Sequence, residues 1–243
     1  MSSRSPLDSA RIEAMAIDPS VQKLSNELFV KSAEYGYSYN FSWLGRPIIQ
    51  YPADIVAIQE ILWRVRPELV IETGIAHGGS LIFSASILEM IGGSGRVLGI
   101  DIDIRDHNRI EIEKHPLSRR IDMIQGSSIA PEIVDQVRKA AEVKGPIVVI
   151  LDSNHTHDHV LNELEAYAPL VTEGSYLIVL DTVVDDLPKS LYMDRPWGPK
   201  DNPKTAVREF LKHTDRFEID LEVERKLLLT VAPSGYLRCR KAA

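Results

Sequence analysis

The sequence predicts an α/β fold in which a mostly parallel β-sheet carries helices on both faces. From residue 52 to residue 213, short apolar runs alternate with amphipathic segments. Repeated strand–helix units form parallel sheets, because each connecting helix packs back onto the sheet. The run at residues 147–151 contains only Ile, Val and Leu, which is typical of a strand buried on both faces. The apolar runs at residues 217–223 and 227–232 have no helical segment between them, so they predict an antiparallel C-terminal pair of strands.

Helices are predicted where apolar residues recur at spacings of three and four, and their ends are predicted at residues that terminate a helix. In the first helix of the alternating region, Ile55, Ile58, Leu62 and Val65 fall on one face. The glycine pair at residues 92–93 closes the second helix. The predicted helices are residues 54–65, 80–91, 105–114, 131–144, 157–170 and 204–213.

Strands are predicted where apolar runs of four to six residues separate these helices. Their residues are 69–72, 96–101, 121–125, 147–152 and 176–181, with a further short strand at 236–239.

Two segments lie outside the alternating pattern. Residues 1–50 are predicted to form an extension or cap on a domain of residues 51–243, with two short helices within residues 7–30. Residues 35–43 contain five aromatic side chains in nine positions, which either pack the extension on the core or line a ligand pocket. Residues 182–204 contain four prolines, and a loop of this length predicts a lid.

Charge and composition exclude several classes of protein. The chain has 243 residues and a net charge of −7, which disfavours general binding to nucleic acid or to anionic membranes. No uncharged apolar run is long enough to span a membrane, and the polar N-terminus does not resemble a secretion signal. A single cysteine, Cys239, excludes an internal disulfide and fits a cytoplasmic location.

Four of the predicted strands end in an acidic residue. Glu72, Asp101, Asp152 and Asp181 occupy these positions. Ligands of parallel α/β sheets bind at the carboxyl ends of the strands. The sequence therefore predicts one acid-lined site at this edge of the sheet.

The loop after the first strand predicts a nucleoside-bearing cofactor without a pyrophosphate. Its glycines, Gly74, Gly78 and Gly79, do not have the G-x-G-x-x-G spacing of dinucleotide sites. An acid at position 72 suits a cationic ligand, so we expect S-adenosylmethionine, whose amino and sulfonium groups are positively charged. The predicted cofactor-binding residues are Glu72, Gly74, His77, Gly78, Ser80, Asp101, Ser127, Ser128 and Asp152.

The predicted cofactor-binding residues are expected to contact different parts of the cofactor. Asp101 is expected to accept hydrogen bonds from the ribose hydroxyls, with Asp103 as the alternative. Ser127 and Ser128 either meet the adenine edge or only form a turn or helix cap.

The acids of the fourth and fifth strands predict a metal site. Adjacent parallel strands lie about 4.8 Å apart, so Asp152 and Asp181 can share one small cation. Oxygen ligands favour Mg²⁺ or Ca²⁺. Thr182 is expected to supply a third oxygen or to hold a bound water, while two loop-capping carboxylates without an ion are the alternative.

His155 is the predicted catalytic base and acts beside Asp152. An imidazole can accept a proton near neutral pH, and a metal-bound hydroxyl group gives up its proton more easily. The alternative for His155 is a loop histidine that stabilises the turn. A transition-metal site formed with His157 and His159 is disfavoured, because a spacing of two scatters side chains around a helix.

Five motifs together resemble the cephalosporin hydroxylase/rhamnosyl O-methyltransferase family over about residues 40–240. They are Ile-Glu-Thr-Gly at 71–74, His-Gly-Gly-Ser at 77–80, Gly-Ile-Asp-Ile-Asp-Ile-Arg at 99–105, Leu-Asp-Ser-Asn-His at 151–155 and Gly-Ser-Tyr-Leu-Ile-Val-Leu-Asp-Thr at 174–182. The resemblance implies a class I methyltransferase fold, S-adenosylmethionine, Mg²⁺, sugar or secondary-metabolite substrates and a homo-oligomer.

The site is also similar to that of catechol O-methyltransferase. By position, Asp152 and Asp181 match its two metal aspartates, and His155 stands in the place of its lysine base. Thr182 replaces an asparagine ligand, which leaves Asp185 or Asp186 as alternatives.

The function predicted is Mg²⁺-assisted methylation of a hydroxyl group on a sugar or a glycosylated metabolite. Two other classes remain as alternatives. The substitution at position 182 is compatible with a cofactor-binding module that has lost catalysis. An iron-dependent hydroxylase requires a His-x-Asp…His triad on a β-jelly-roll, and the only His-x-Asp sequence, residues 213–215, is followed by no histidine.

Overall fold

The fold is an α/β sandwich around a seven-stranded sheet, and a computed structural model describes it for residues 6–242. The strands are β1 Phe41–Trp43, β2 Arg46–Ile48, β3 Leu69–Thr73, β4 Arg96–Asp101, β5 Ile121–Gln125, β6 Ile147–Leu151, β7 Tyr176–Val179, β8 Phe217–Ile219 and β9 Tyr236–Cys239. The α-helices are α1 Pro6–Ile17, α2 Pro19–Ala33, α3 Pro52–Val65, α4 Gly79–Ile91, α5 Asp106–Glu113, α6 Pro131–Ala140, α7 His157–Tyr167, α8 Pro203–Phe210 and α9 Leu221–Glu224.

The order of strands in the main sheet is β5-β4-β3-β6-β7-β9-β8. The first five of these strands are parallel, while β9 runs antiparallel to both of its neighbours. Every residue of the two central strands, β3 and β6, is buried. The predicted mostly parallel sheet with an antiparallel C-terminal strand is confirmed.

Two apolar layers cover the faces of this sheet. On one face, Ile58 of α3 and Ile82 of α4 belong to the cluster that includes Val70 of β3. On the other face, Val134 of α6 and Leu164 of α7 pack with a second cluster. Helices on both faces leave the strand ends as an open edge of the sheet.

The C-terminal region differs from the sequence prediction. Residues 227–232 do not form a strand, because the Thr230 hydroxyl and the Val231 amide donate to the buried carboxylate of Asp54 instead of joining the sheet. The predicted strand at 217–223 ends at Ile219, and Asp220 caps the short helix α9 by accepting from the amides of residues 222 and 223. Helix α6 ends four residues before its predicted end at residue 144.

The predicted lid at residues 182–204 is more ordered than a structureless loop. It contains two 3₁₀ turns, Thr182–Asp186 and Lys189–Tyr192. Ion pairs from the first turn to helix α8 fix it in place: Asp185 binds Arg208 at 2.7 Å, and Asp186 binds Lys204 at 2.5 Å. No helix of the described residues is both long and apolar enough to cross a membrane.

Asn202 joins this segment to α8 through a capping box. Its side chain accepts from the Thr205 amide, and the Thr205 hydroxyl accepts from the Asn202 amide. Substitution of Asn202 by Ala is expected to lower the free energy of unfolding by roughly 2 kcal/mol or more, because the N-cap is lost and the Asp185 carboxylate and the Gly198 carbonyl each lose a buried donor. Urea denaturation measures this. The exposed Asn162, whose amide donates to the Asp158 carbonyl, provides the control: an equal loss in Asn162→Ala would contradict the capping role.

The aromatic stretch both packs on the core and borders the strand ends. Trp43 lies edge-on against Phe83 at 5.0 Å, and its ring nitrogen donates to the Ser86 hydroxyl at 3.0 Å. Tyr39 is 60% exposed and lines the cleft described below. Trp43 therefore packs the segment on the core, whereas Tyr39 lines the cleft.

Candidate active site

A cleft of about 300 Å³ lies at the carboxyl ends of the central strands. One wall is the loop after β3, the second is the loop after β6, and the third is formed by residues 38–50 of the N-terminal segment. Trp197 and Arg195, from the segment predicted as a lid, complete the lining. The open edge of the sheet is thus enclosed on several sides.

Three of the predicted site residues lie together in this cleft. The ligand atoms of Asp152, His155 and Asp181 all lie within 4.8 Å of one another. Nε2 of His155 is 3.2 Å from Oδ2 of Asp181. Two carboxylates and one imidazole at these distances form a donor set that can hold a divalent cation.

Electrostatics at Asp152 favour a cation. Burial raises the pKa of Asp152 well above its usual range, and the negative charges of Asp181 and Glu72 raise it further. Carboxylates this close to one another cannot all remain ionised unless a positive charge compensates them. A bound cation removes this penalty and restores the ionised carboxylates.

Asp181 is held in an unusual backbone conformation. Its φ angle is 54°, in the left-handed region, which costs non-glycine residues about 1–2 kcal/mol. Residue 181 directly precedes the 3₁₀ turn Thr182–Asp186. The constraint places the carboxylate in the cleft, beside His155.

The hydroxyl group of Thr182 makes a different contact from the one that the sequence predicted. Its hydroxyl group donates to the Pro233 carbonyl at 2.8 Å, and the residue is fully buried. Asp185 and Asp186 are bound to basic side chains of α8. The geometry gives these three residues structural partners, and it places His155 beside Asp152 and Asp181 in the group of atoms that could hold a metal.

Asp101 organises the loop after β3. Its Oδ2 accepts from the amides of Ile75 and Ala76 at 2.7 and 3.3 Å, and its Oδ1 accepts from the Asp103 amide at 3.0 Å. Asp103 itself is exposed and forms a 3.9 Å ion pair with Arg105. Binding of the ribose by Asp101 stays a prediction, and these contacts show that the residue also shapes the loop.

The loop depends on close approaches that only glycine permits. Gly74 has φ 91°, and a Cβ atom there would lie 2.1 Å from the Asp152 carbonyl oxygen. A Cβ atom on Gly79 would lie 2.1 Å from the Pro47 carbonyl oxygen. The guanidinium of Arg46 donates to the His77 carbonyl, with contacts of 2.6 and 3.0 Å. The N-terminal segment is therefore packed directly on the predicted cofactor loop.

Glu72 is 1% exposed, and neither of its carboxylate oxygens accepts a hydrogen bond of good geometry. Burial raises the pKa of Glu72 to about 7, and the Ser80 side chain, which lies near enough to interact with the carboxylate, partly opposes this rise. A buried acid without a strong hydrogen-bond partner costs free energy. A positively charged ligand group would offset that cost, so the residue fits a cationic cofactor.

Ser128 belongs to a polar network behind the site. Its hydroxyl lies 3.1 Å from Nε2 of His159, which is equally close to the Ser153 hydroxyl. The Ser153 hydroxyl donates to the buried carboxylate of Glu163 at 2.7 Å. This network connects the loop after β5, which also contains Ser127, to the loop that carries Asp152. His157 and His159 lie outside the metal cluster.

Three side chains of the site were missed by the sequence analysis. Gln50 donates from Nε2 to Oδ2 of Asp152 at 3.4 Å. Trp197 packs edge-on against His155, with ring centroids 4.8 Å apart. The guanidinium of Arg195 lies 5.4 Å from the centre of the Trp197 ring. A Pro-Trp-Gly-Pro sequence at residues 196–199 was the available signal for Trp197, whereas nothing local distinguishes Gln50.

The sheet order and the acid-lined edge define a class I methyltransferase. A family model described as rhamnosyl O-methyltransferase/CmcI matches residues 35–240. The chain belongs to this family and is an S-adenosylmethionine-dependent O-methyltransferase. The parallel sheet also excludes the β-jelly-roll that the hydroxylase alternative requires.

Curated relatives agree with this assignment, and solved structures agree with the fold. Rhamnosyl O-methyltransferase of Mycobacterium leprae is 34% identical over 199 residues, which cover 81% of this chain and 82% of that protein. Its counterpart from Mycobacterium tuberculosis H37Rv is 33% identical over 190 residues, covering 76% and 72%. The structure "cmcI-D160 Mg-SAM" aligns with a TM-score of 0.60 at 22% identity, covering 84% of this chain and 78% of that one. An O-methyltransferase from Bacillus cereus in complex with SAH aligns with a TM-score of 0.54 at 18% identity, covering 87% and 88%.

Proposed function

We propose that the protein methylates a hydroxyl group of a sugar or of a glycosylated metabolite, with Mg²⁺ bound by Asp152 and Asp181. The observation that carries this proposal is the cluster of three ligand atoms within 4.8 Å at the carboxyl edge of the sheet. The rhamnosyl acceptor named for the mycobacterial relatives supports a sugar substrate. A cytoplasmic location remains the expectation from the single cysteine, and a homo-oligomer remains what the family resemblance implies.

His155 has the position of the general base. Its imidazole lies 3.2 Å from the Asp181 carboxylate and packs on Trp197, so its orientation is fixed from two sides. Mg²⁺ bound at the two aspartates would supply positive charge that makes an acceptor hydroxyl group more acidic. His155 accepts the hydroxyl proton as the acceptor oxygen bonds to the methyl carbon. The S–CH₃ bond of S-adenosylmethionine breaks at the same time, its electron pair stays on sulfur, and S-adenosylhomocysteine leaves.

Positioning of the two reactants adds to the effect of proton transfer. Alignment of the acceptor oxygen with the methyl donor turns a bimolecular reaction into an effectively unimolecular one, worth roughly 7–11 kcal/mol in favourable cases. Trp197 offers an aromatic ring in the lining of the cleft, where sugar C–H groups can pack.

The experiment that tests the proposal combines binding and turnover. We expect the purified protein to bind S-adenosylhomocysteine in calorimetry and to methylate rhamnosylated acceptors in a Mg²⁺-dependent reaction. Removal of the metal with a chelator should abolish turnover, and added Mg²⁺ should restore it. Full activity in the presence of a chelator would contradict the metal assignment.

Asp181→Asn is expected to weaken Mg²⁺ binding at least roughly 100-fold, because loss of outer-shell partners alone costs about 10–100-fold. Calorimetric titration with MgCl₂ measures the affinity. Asp194→Asn provides the matched control, since Asp194 is an exposed aspartate of the same segment. If both variants bind Mg²⁺ as the unmodified protein does, Asp181 is not a ligand.

A further inference from the structure

Among the described residues, Arg195 is the only lysine or arginine that lines the cleft. The acidic side chains of the same lining are Asp152 and Asp181. Mg²⁺ at the two aspartates would balance their two negative charges, and the positive charge of Arg195 would then remain uncompensated. A guanidinium group stays charged at physiological pH, and a cation in a partly enclosed cleft attracts anions. The charges of the cleft therefore favour an acceptor with a negative group.

The guanidinium of Arg195 is available to bind such a group. It lies 5.4 Å from the centre of the Trp197 ring, and no carboxylate of residues 6–242 forms an ion pair with it. An aromatic ring compensates the charge of a guanidinium only weakly. The planar fork of N–H donors can still bind two oxygens of a carboxylate or a phosphate at once.

The contacts of Trp197 place this cation on the acceptor side of the cleft. Trp197 packs edge-on against His155, with 4.8 Å between the ring centres. His155 is the proposed base, which has to face the acceptor hydroxyl group. The two successive contacts, of 4.8 and 5.4 Å, separate the imidazole from the guanidinium. A single sugar residue with an attached anionic group can span this separation.

The backbone that carries the two side chains is held on both sides. The Arg195 amide donates to the Tyr192 carbonyl at 3.1 Å. On the other side, Gly198 and Asp201 exchange two backbone hydrogen bonds of 2.9 and 3.0 Å, and the side chain of Asn202 donates to the Gly198 carbonyl at 2.9 Å. An ordered segment loses little freedom when a ligand binds, so this segment is suited to recognition.

We propose that Arg195 and Trp197 form an acceptor subsite for a sugar that carries a carboxylate or a phosphate group. The inference rests on the proposed function, because it takes His155 as the base and Mg²⁺ as the partner of the two aspartates. Trp197 packs on the face of the sugar, and Arg195 donates two hydrogen bonds to the anionic group. Arg195 determines which acceptor binds and takes no part in proton or methyl transfer.

The test compares two pairs of probes that differ in an anionic group. Methyl glucuronoside and methyl glucoside differ in a carboxylate, whereas rhamnosyl phosphate and methyl rhamnoside differ in a phosphate. Calorimetry measures the binding of each probe in the presence of S-adenosylhomocysteine and Mg²⁺. We expect the anionic member of at least one pair to bind on the order of 10-fold more tightly, because hydrogen bonds to charged groups are worth that much. The pair that shows this preference identifies the anion as a carboxylate or a phosphate.

Arg195→Met separates the guanidinium from other sources of the preference. The variant loses the charge and keeps an unbranched side chain, so the preference should fall below about 2-fold while the affinity for the neutral probes is retained. Lys189→Met provides the matched control, because Lys189 is an exposed cation of the same segment that does not line the cleft. This control should keep the full preference. Direct binding of the anion to Mg²⁺ would give a preference that survives in Arg195→Met, and that result would overturn the inference.

Two further results would also contradict the subsite. Equal binding of both members of both pairs by the unmodified protein would overturn it whatever the variants do, while leaving methylation of neutral sugars intact. Binding of S-adenosylhomocysteine without any of the four probes would overturn it as well. A protein that does not bind S-adenosylhomocysteine would contradict the proposed function itself.

Discussion

Replacement of His155 by Asn is expected to lower kcat for methyl transfer about 100- to 10,000-fold, the usual contribution of a general base. Asparagine keeps a polar side chain of similar reach but cannot accept the hydroxyl proton at neutral pH. Initial rates at saturating concentrations of both substrates measure the effect.

The same variant distinguishes a base from a metal ligand. Because the ring nitrogen of His155 is one of the three clustered ligand atoms, the geometry alone allows either role. If the imidazole is the base, His155→Asn should bind Mg²⁺ nearly as the unmodified enzyme does. A loss of Mg²⁺ affinity parallel to the loss of kcat would identify His155 as a ligand instead. His157→Asn, outside the cluster, provides the control and should retain activity.

The parts of the site that the sequence predicted are those fixed by strand ends. Residues at the ends of adjacent parallel strands must meet at one edge, so Asp152 and Asp181 could be paired without coordinates. Their strands β6 and β7 are neighbours, with Leu151 opposite Val179. His155 followed from Asp152 by its short distance along the chain.

The remaining parts depend on contacts between distant segments. Gln50 reaches Asp152 across 102 positions of the chain, and no local pattern encodes that distance. Thr182 was expected at the metal because it follows Asp181, but the chain turns so that its hydroxyl meets Pro233. The apolar run at 227–232 resembles a strand locally, but its Val231 amide donates to the Asp54 carboxylate instead of to a neighbouring strand. For Thr182 and for residues 227–232, hydrogen bonds between distant segments outweighed what the local sequence pattern predicted.

Asp54→Ala is expected to destabilise the protein by roughly 3 kcal/mol or more, since each unsatisfied buried donor costs about 1–3 kcal/mol. Asp54 is fully buried. Its carboxylate accepts from the Thr230 hydroxyl at 2.5 Å, the Val231 amide at 2.9 Å and the Tyr236 hydroxyl at 2.7 Å. Urea denaturation at pH 7 measures the loss. Asp54→Asn should be much milder, because its amide can accept from Val231 and donate to the two hydroxyl oxygens.

The pH dependence of this effect has a definite sign. Burial raises the pKa of Asp54 from 3.8 to about 6 in the folded protein. The folded state therefore binds the proton more tightly than the unfolded state does, and stability from this group decreases as the pH rises from about 4 to about 6. Above that window the contribution is constant, at a penalty on the order of 3 kcal/mol. Asp54→Asn has no ionisable group, so its stability relative to the unmodified protein should rise across the same window.

This carboxylate also connects stability to the active site. Val231, which Asp54 holds, lines the cleft, and its carbonyl accepts from the Val183 amide at 3.1 Å in the turn that follows Asp181. Loss of Asp54 should therefore loosen the segment that positions a metal carboxylate. We expect Asp54→Ala to weaken Mg²⁺ binding at a temperature where the variant is still folded, and Asp54→Asn to retain it. Equal Mg²⁺ affinity in a folded Asp54→Ala protein would show that residues 230–232 do not position Asp181.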